Sequence, residues 1–138
     1  MIDAGRASGV RVLLDTTVLI DILRGRPAGD RLMDLRRNGD QPCTTAINVE
    51  EVARGLRPPE RSAASRLIAG LEVLPLGAPA GWRAGVWRQD HAGRGITLSQ
   101  ADCLIAAAAF EAGAQLATGN PRDFPMAGLS VDHWPVGE

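Results

Sequence analysis

VRVLLDTTVLIDILRG, residues 10–25, decides the fold, because an apolar run meets a carboxylate at Asp15 and the hydrophobic period then changes. Val10, Val12, Leu13 and Leu14 have the β-branched and leucine composition of a strand buried on both faces of a parallel sheet. Beyond Asp15, Val18, Leu19, Ile22 and Leu23 recur at helical spacing, with Thr17, Asp21 and Arg24 opposite them. Gly25 suits the left-handed conformation that often ends a helix. Asp15 thus falls at the carboxyl end of the first strand, where open α/β sheets bind their ligands. The competing reading is that Asp15 only caps the helix.

Working outward, residues 1–9 are small and polar and read as a loose tail, leaving residues 10–138 as one domain. Leu32, Met33 and Leu35 mark a helix over 28–38 that Asn38-Gly39 stops. A short strand follows at 41–44, then a helix to residue 56 with Thr45 as N-cap. Its core stripe is read as Ala46, Val49, Val52, Ala53 and Leu56, with Asn48 and Glu51 together on another face. Glu50 lies apart from them, and Arg54 at i+4 suits it to an exposed ion pair. Pro58-Pro59 opens another helix to about residue 70, and 72–76 reads as a third strand. A helix over 79–92 places Trp82 and Val86 one turn apart, and Trp82 and Trp87 are read as core residues. Ser99 with Asp102 three positions on has capping-box spacing, and the helix they start ends at Gly113. Residues 115–118 form a fourth strand, Gly119-Asn-Pro-Arg-Asp123 turns out of its carboxyl end, and 129–133 supplies a short fifth. Strands alternating with helices predict an α/β fold around a mostly parallel sheet of about five strands.

At 138 residues, 45% hydrophobic and 22% charged, the chain can bury a core without disulfides or a structural metal. No apolar run is long enough to span a membrane, and the first residues lack the apolar core of a signal peptide, so a cytoplasmic location is expected. Cys43 and Cys103 have no metal-ligand spacing and read as packed apolar residues. All fifteen basic residues are arginine. The absence of lysine and of any GxxxxGK string excludes a P-loop nucleotidase. It also argues against a phosphoaspartate phosphatase or receiver built on Asp15. Nine arginines between Ile22 and Gly70 face six acids, which suits phosphate contact as well as a solvated helix surface.

Four carboxylates are placed to converge on one rim of such a sheet: Asp15 after the first strand, Glu51 in the helix after the second, Asp102 at a helix start and Asp123 after the fourth strand. At ~5 Å and an effective dielectric of 20 each pair costs about 3 kcal/mol. A hard divalent cation resolves that repulsion, since Mg²⁺ takes one or two carboxylates and keeps waters for substrate phosphate oxygens. Such a site hydrolyses phosphodiesters.

LLDTTVLIDILRG, TTAINVEEVARGL and LSQADCLIAAAAFEAGAQLATGNPRDF resemble, in order, the three blocks of PIN-domain ribonucleases, specifically VapC-type toxins of bacterial toxin–antitoxin pairs. The resemblance runs over about residues 11–134. It implies a Rossmann-like three-layer α/β/α fold, an endoribonuclease dependent on Mg²⁺ or Mn²⁺, a homodimer, and inhibition by a VapB-type antitoxin. By motif, Asp15 and Asp102 look like the principal metal ligands, with Glu51 and Asp123 completing the acidic set. Either Asn120 or Asp123 fills the fourth position. Thr16, Asn48, Thr118 and Asn120 are the accessory polar residues. The alternative function is a PIN-like module that binds RNA or a protein partner without cutting; an aromatic content of 4% leaves it little surface for stacking bases.

Overall fold

The computed structural model describes residues 9–137. The expected N-terminal tail falls almost wholly outside them. Five strands, β1 (Arg11–Leu14), β2 (Gln41–Thr44), β3 (Glu72–Val73), β4 (Gln115–Thr118) and β5 (Val131–His133), form one parallel sheet in the order β3-β2-β1-β4-β5. Six helices connect them: α1 (Thr16–Leu23), α2 (Ala28–Arg37), α3 (Ala46–Gly55), α4 (Arg61–Ala69), α5 (Ala78–Ala92) and α6 (Gln100–Glu111). β1 lies in the centre, and the strand order reverses between β1 and β4, so a crevice opens at their carboxyl ends.

The alternation of side chains along β1 divides the core. Val12 and Leu14 face one layer with Val18, Leu19, Leu32, Leu35, Val52 and Ala64 from α1–α4. Leu13 faces the other, with Ala80 and Ala84 from α5 and the alanine run of α6. This is the three-layer α/β/α arrangement, and both faces of β1 are dry, as its unbroken apolar run requires. Ala106 to Ala109 are almost fully buried; a side chain no larger than methyl lets α6 lie close to both the sheet and α5. Cys43 and Cys103 are buried free thiols, and burial first, then neighbouring Glu72, pushes the Cys43 thiol up to about 12. Neither is a nucleophile.

Several expected core positions differ. Ala46 and Ala53 on α3 are exposed and Val49 is half-buried, whereas Asn48 is fully buried beside Val52. The buried face of α3 is therefore rotated toward its polar residue, because that face meets the carboxyl ends of the strands and not the sheet's apolar middle. Met33 is exposed on α2. Trp82, read as core, is 80% exposed, while Trp87 packs edge-on against Phe110. The third and fifth strands are shorter than their apolar patterns suggest, pairing only at residues 72–73 and 131–133.

Enlarging the alanine run tests the packing. Ala107→Leu forces α6 away from the sheet and costs about 2 kcal/mol, the usual range for overpacking, lowering Tm by several degrees in a melting experiment.

Candidate functional site

Asp15 is held at the crevice by the sheet itself. Its amide donates to the Ala117 carbonyl at 2.9 Å, continuing the β1–β4 ladder by one residue, and its carbonyl accepts from Val18 and Leu19 to start α1. Its carboxylate does not cap that helix. It is buried and turned into a polar network: Oδ2 accepts from the Thr118 hydroxyl at 2.8 Å and, more weakly, from the Thr17 hydroxyl at 3.5 Å, while Oδ1 faces the Asn48 amide at 3.4 Å.

Asn48 is the hub. The Thr45 hydroxyl donates to Asn48 Oδ1 at 2.7 Å and accepts from the Asn48 backbone N–H at 3.3 Å, so the N-cap also fixes which end of the carboxamide is the donor. The Nδ2 group then reaches Asp15 and the Thr16 hydroxyl, at 3.0 Å for the latter. The Thr16 hydroxyl in turn donates a hydrogen bond to Glu51 Oε1 at 2.6 Å. The chain Thr45–Asn48–Thr16–Glu51 thus ties α3 to the start of α1 and orients Glu51 over the rim. Glu50 points elsewhere: Arg54 holds it in an exposed two-bond ion pair at 3.0 and 3.1 Å and lowers its pKa.

Across the crevice, Asp102 lies in the first turn of α6, where Ser99 Oγ accepts its backbone N–H at 3.0 Å. Asp123 and Asn120 are exposed on the loop after β4, which a 3-10 turn (Pro121–Asp123) shapes. The loop is anchored from below: the Gly119 amide donates to Thr17 Oγ1 and the Asn120 amide to Thr118 Oγ1, both at 3.0 Å. Thr17 was absent from the sequence-derived set, and its position directly after Asp15-Thr16 was the available signal.

Electrostatics join the four acids. Burial raises the Asp15 pKa, the Thr118 hydroxyl and Thr16 amide oppose the rise, and the charges of Asp102 and Glu51 add to it. Asp102 is raised chiefly by burial, against the Ser99 hydroxyl, with Asp123 and Glu51 contributing. Asp102 therefore senses both Glu51 and Asp123, and no basic side chain is among the groups that act on either aspartate. Among the described residues no three acidic, histidine or cysteine side chains already form a ligand cage. The donors present are all hard oxygens, the set that suits Mg²⁺ or Mn²⁺ held by one or two carboxylates with water completing the shell. Asp15 and Asp102 fit that requirement.

A parallel sheet with acids at its switch point defines a class, and the match is specific: the PIN domain family model covers residues 12–127. The chain belongs to the PIN domain family and is a VapC-type member of it. It is 34% identical over 119 residues to ribonuclease VapC19 of Mycobacterium tuberculosis, covering 83% of this chain and 92% of that protein. It is equally identical over 116 residues to ribonuclease VapC10 of the same species, covering 83% and 86%. Among solved structures, the DNA-bound VapBC of Salmonella typhimurium aligns with a TM-score of 0.78 at 27% identity over 91% of this chain and 98% of that one. VapBC2 of Rickettsia felis, at 20% identity, shares the fold with a TM-score of 0.81 over 91% and 99%.

An acid whose pKa is raised by folding binds protons more tightly folded than unfolded. Asp15 and Asp102 therefore favour the metal-free fold at low pH and oppose it as pH rises from about 4 through their raised values. A divalent cation binding the ionised pair reverses the loss. Millimolar Mn²⁺ is expected to raise Tm relative to EDTA more at about pH 7.5 than at about pH 5, and equal curves at both values would mean the acids share no cation.

Proposed function

We propose that this chain is the toxin of a type II toxin–antitoxin pair, an endoribonuclease that hydrolyses RNA phosphodiester bonds with Mg²⁺, for which Mn²⁺ substitutes. The observation that carries the proposal is the linked acid set at the β1–β4 crevice, where Asp15 and Asp102 are raised by burial and by other acids with no internal cation to relieve them. The names of the relatives, ribonucleases VapC19 and VapC10, support the same reaction.

In this reading Asp15 and Asp102 hold the ion, with Glu51 and Asp123 beside them. The bound ion would supply charge neutralisation at the phosphate and a water of lowered pKa. The protein's own part is orientation. Thr118, Thr17 and Asn48 hold the Asp15 carboxylate in place, and Thr16 holds Glu51 at the rim, where it could take a proton from an attacking water. Asn120 borders the rim on the loop after β4. A buried carboxylate so constrained spends no free energy on reorganisation during the reaction.

The inhibitory partner we assign is a VapB-type antitoxin, as in the VapBC structures this fold resembles. An apolar pocket of ≈ 270 Å³ between α3 and α4, lined by Val49, Val52, Leu56, Ala64 and Ile68 with Arg61 at its edge, suits an amphipathic segment. Val49, Ala53 and Leu56 of the stripe expected to fill the core line this groove, and Val52 forms its floor where it meets the core. The reading also includes a cytoplasmic homodimer; among the described residues no helix is long and apolar enough to cross a membrane.

Asp15→Asn and Asp102→Asn are expected to abolish RNA cleavage at saturating Mn²⁺ while circular dichroism and melting show a retained fold; cleavage near the parent rate by both would overturn the proposal. Glu51→Gln should slow cleavage at least tenfold, about 1.4 kcal/mol of activation free energy, and Glu50→Gln should leave the rate nearly unchanged. The opposite ranking would show that α3 presents a different face to the substrate.

A further inference from the structure

Beside the acidic rim lies a second pocket of ≈ 490 Å³, lined by Gly119, Asn120, Pro121, Arg122, Asp123 and His133. Two independent features of the fold place it there. β4 and β5 pair in parallel with Thr118 opposite His133, and the Trp134 amide donates to the Thr118 carbonyl at 2.9 Å. His133 therefore leaves the sheet at the level of the hydroxyl that holds Asp15. The 3-10 turn then sets Arg122 immediately before Asp123, the acid whose charge reaches Asp102.

The polar groups here are not used by the fold. Six other arginines, at positions 11, 26, 37, 54, 57 and 83, have carboxylate partners. Among the described residues Arg122, like the arginines at 24, 31, 36, 61, 66, 88 and 94, has none; what sets it apart is its place beside Asp123 in the pocket lining, where it is exposed. Asn120 gives its backbone amide to Thr118, and its carboxamide makes no bond among the described residues. His133 is exposed in the same way. A planar guanidinium with a free fork, flanked by a carboxamide and an imidazole, matches phosphate oxygens and a ribose hydroxyl. Apart from the His133 imidazole no aromatic ring lines the pocket, which leaves little surface for stacking a base.

We propose that this pocket, through Arg122 and His133, is a subsite for an RNA phosphate neighbouring the one that is cut. The inference rests on the ribonuclease reading and adds to it the contact that holds a polyanion next to four acids. A strand reaching the rim meets a negative field, and one cation adjoining Asp123 offsets it at that end of the rim.

The test is binding of a fluorescein-labelled oligoribonucleotide to the full chain carrying Asp15→Asn, followed by anisotropy in Mg²⁺ across about 50 to 200 mM KCl. Adding Arg122→Ala is expected to weaken binding about tenfold and to reduce the slope of log K against log salt by about 0.7, one phosphate contact on a single strand. Arg122→Lys should restore the slope, His133→Ala should weaken binding with little change in slope, and Arg37→Ala should change neither. An Arg122→Ala slope and affinity equal to the parent's would overturn the subsite. A parent that binds no RNA would overturn the subsite together with the RNA substrate. A wild-type chain that shows the Arg122-dependent slope and does not cut would overturn cleavage alone and leave the subsite standing.

Discussion

The structure depends on keeping one carboxylate, that of Asp15, buried at the point where the strand order reverses. An isolated buried carboxylate is costly, and the usual remedies are a paired cation or dense hydrogen bonding. Here the protein supplies hydrogen bonds from three elements, Thr118 from β4, Thr17 from α1 and Asn48 from α3, and no cation. Only one of these, Thr118 at 2.8 Å, is short; the contacts at 3.4 and 3.5 Å are weak. Both oxygens have a partner, yet burial outweighs these bonds and the carboxyl's pKa is raised.

The same network explains why threonines crowd this end of the sheet. Thr16, Thr17, Thr45 and Thr118 each both donate and accept; Thr16, Thr17 and Thr118 link different elements, while Thr45 spends both bonds on Asn48 of the helix it caps. A serine offers the same proton with more rotamer freedom, whereas the β-branch of threonine fixes χ1 and with it the direction of the bond. Glu51 is aimed by this means: its own helix faces α1 through Asn48, and Thr16 holds its oxygen at 2.6 Å. The loop after β4 is held from beneath in the same manner, which leaves Asn120, Arg122 and Asp123 directed outward.

Much of this was legible in the sequence because the strongest signals are local. The change of period at Asp15, the Thr45 and Ser99 caps and the glycines at 25, 39 and 113, all at positive φ, mark element ends within a residue or two. Periodicity also separated Glu51 from Glu50, since Arg54 one turn away claims the latter. What failed was burial on α3. Its apolar residues suggested a core stripe, but the helix sits over the polar strand ends, so only Val52 of the stripe is buried, beside Asn48, while Val49, Ala53 and Leu56 line a surface pocket. Trp82 failed for a related reason: hydrophobicity predicts burial only when another layer exists to cover it, and none among the described residues covers that side of α5. Thr17 was left out of the site set because its role depends on Gly119, 102 residues away in the chain.

The central claim is that Asp15 and Asp102 form one cation site in the folded chain. Titrating the free protein with Mn²⁺ and following the loss of the aqueous Mn²⁺ signal by electron paramagnetic resonance tests it without reference to any substrate. The account predicts saturable binding near neutral pH that Asp15→Asn and Asp102→Asn each remove and Glu50→Gln leaves intact. Binding of equal affinity in all three variants would contradict it.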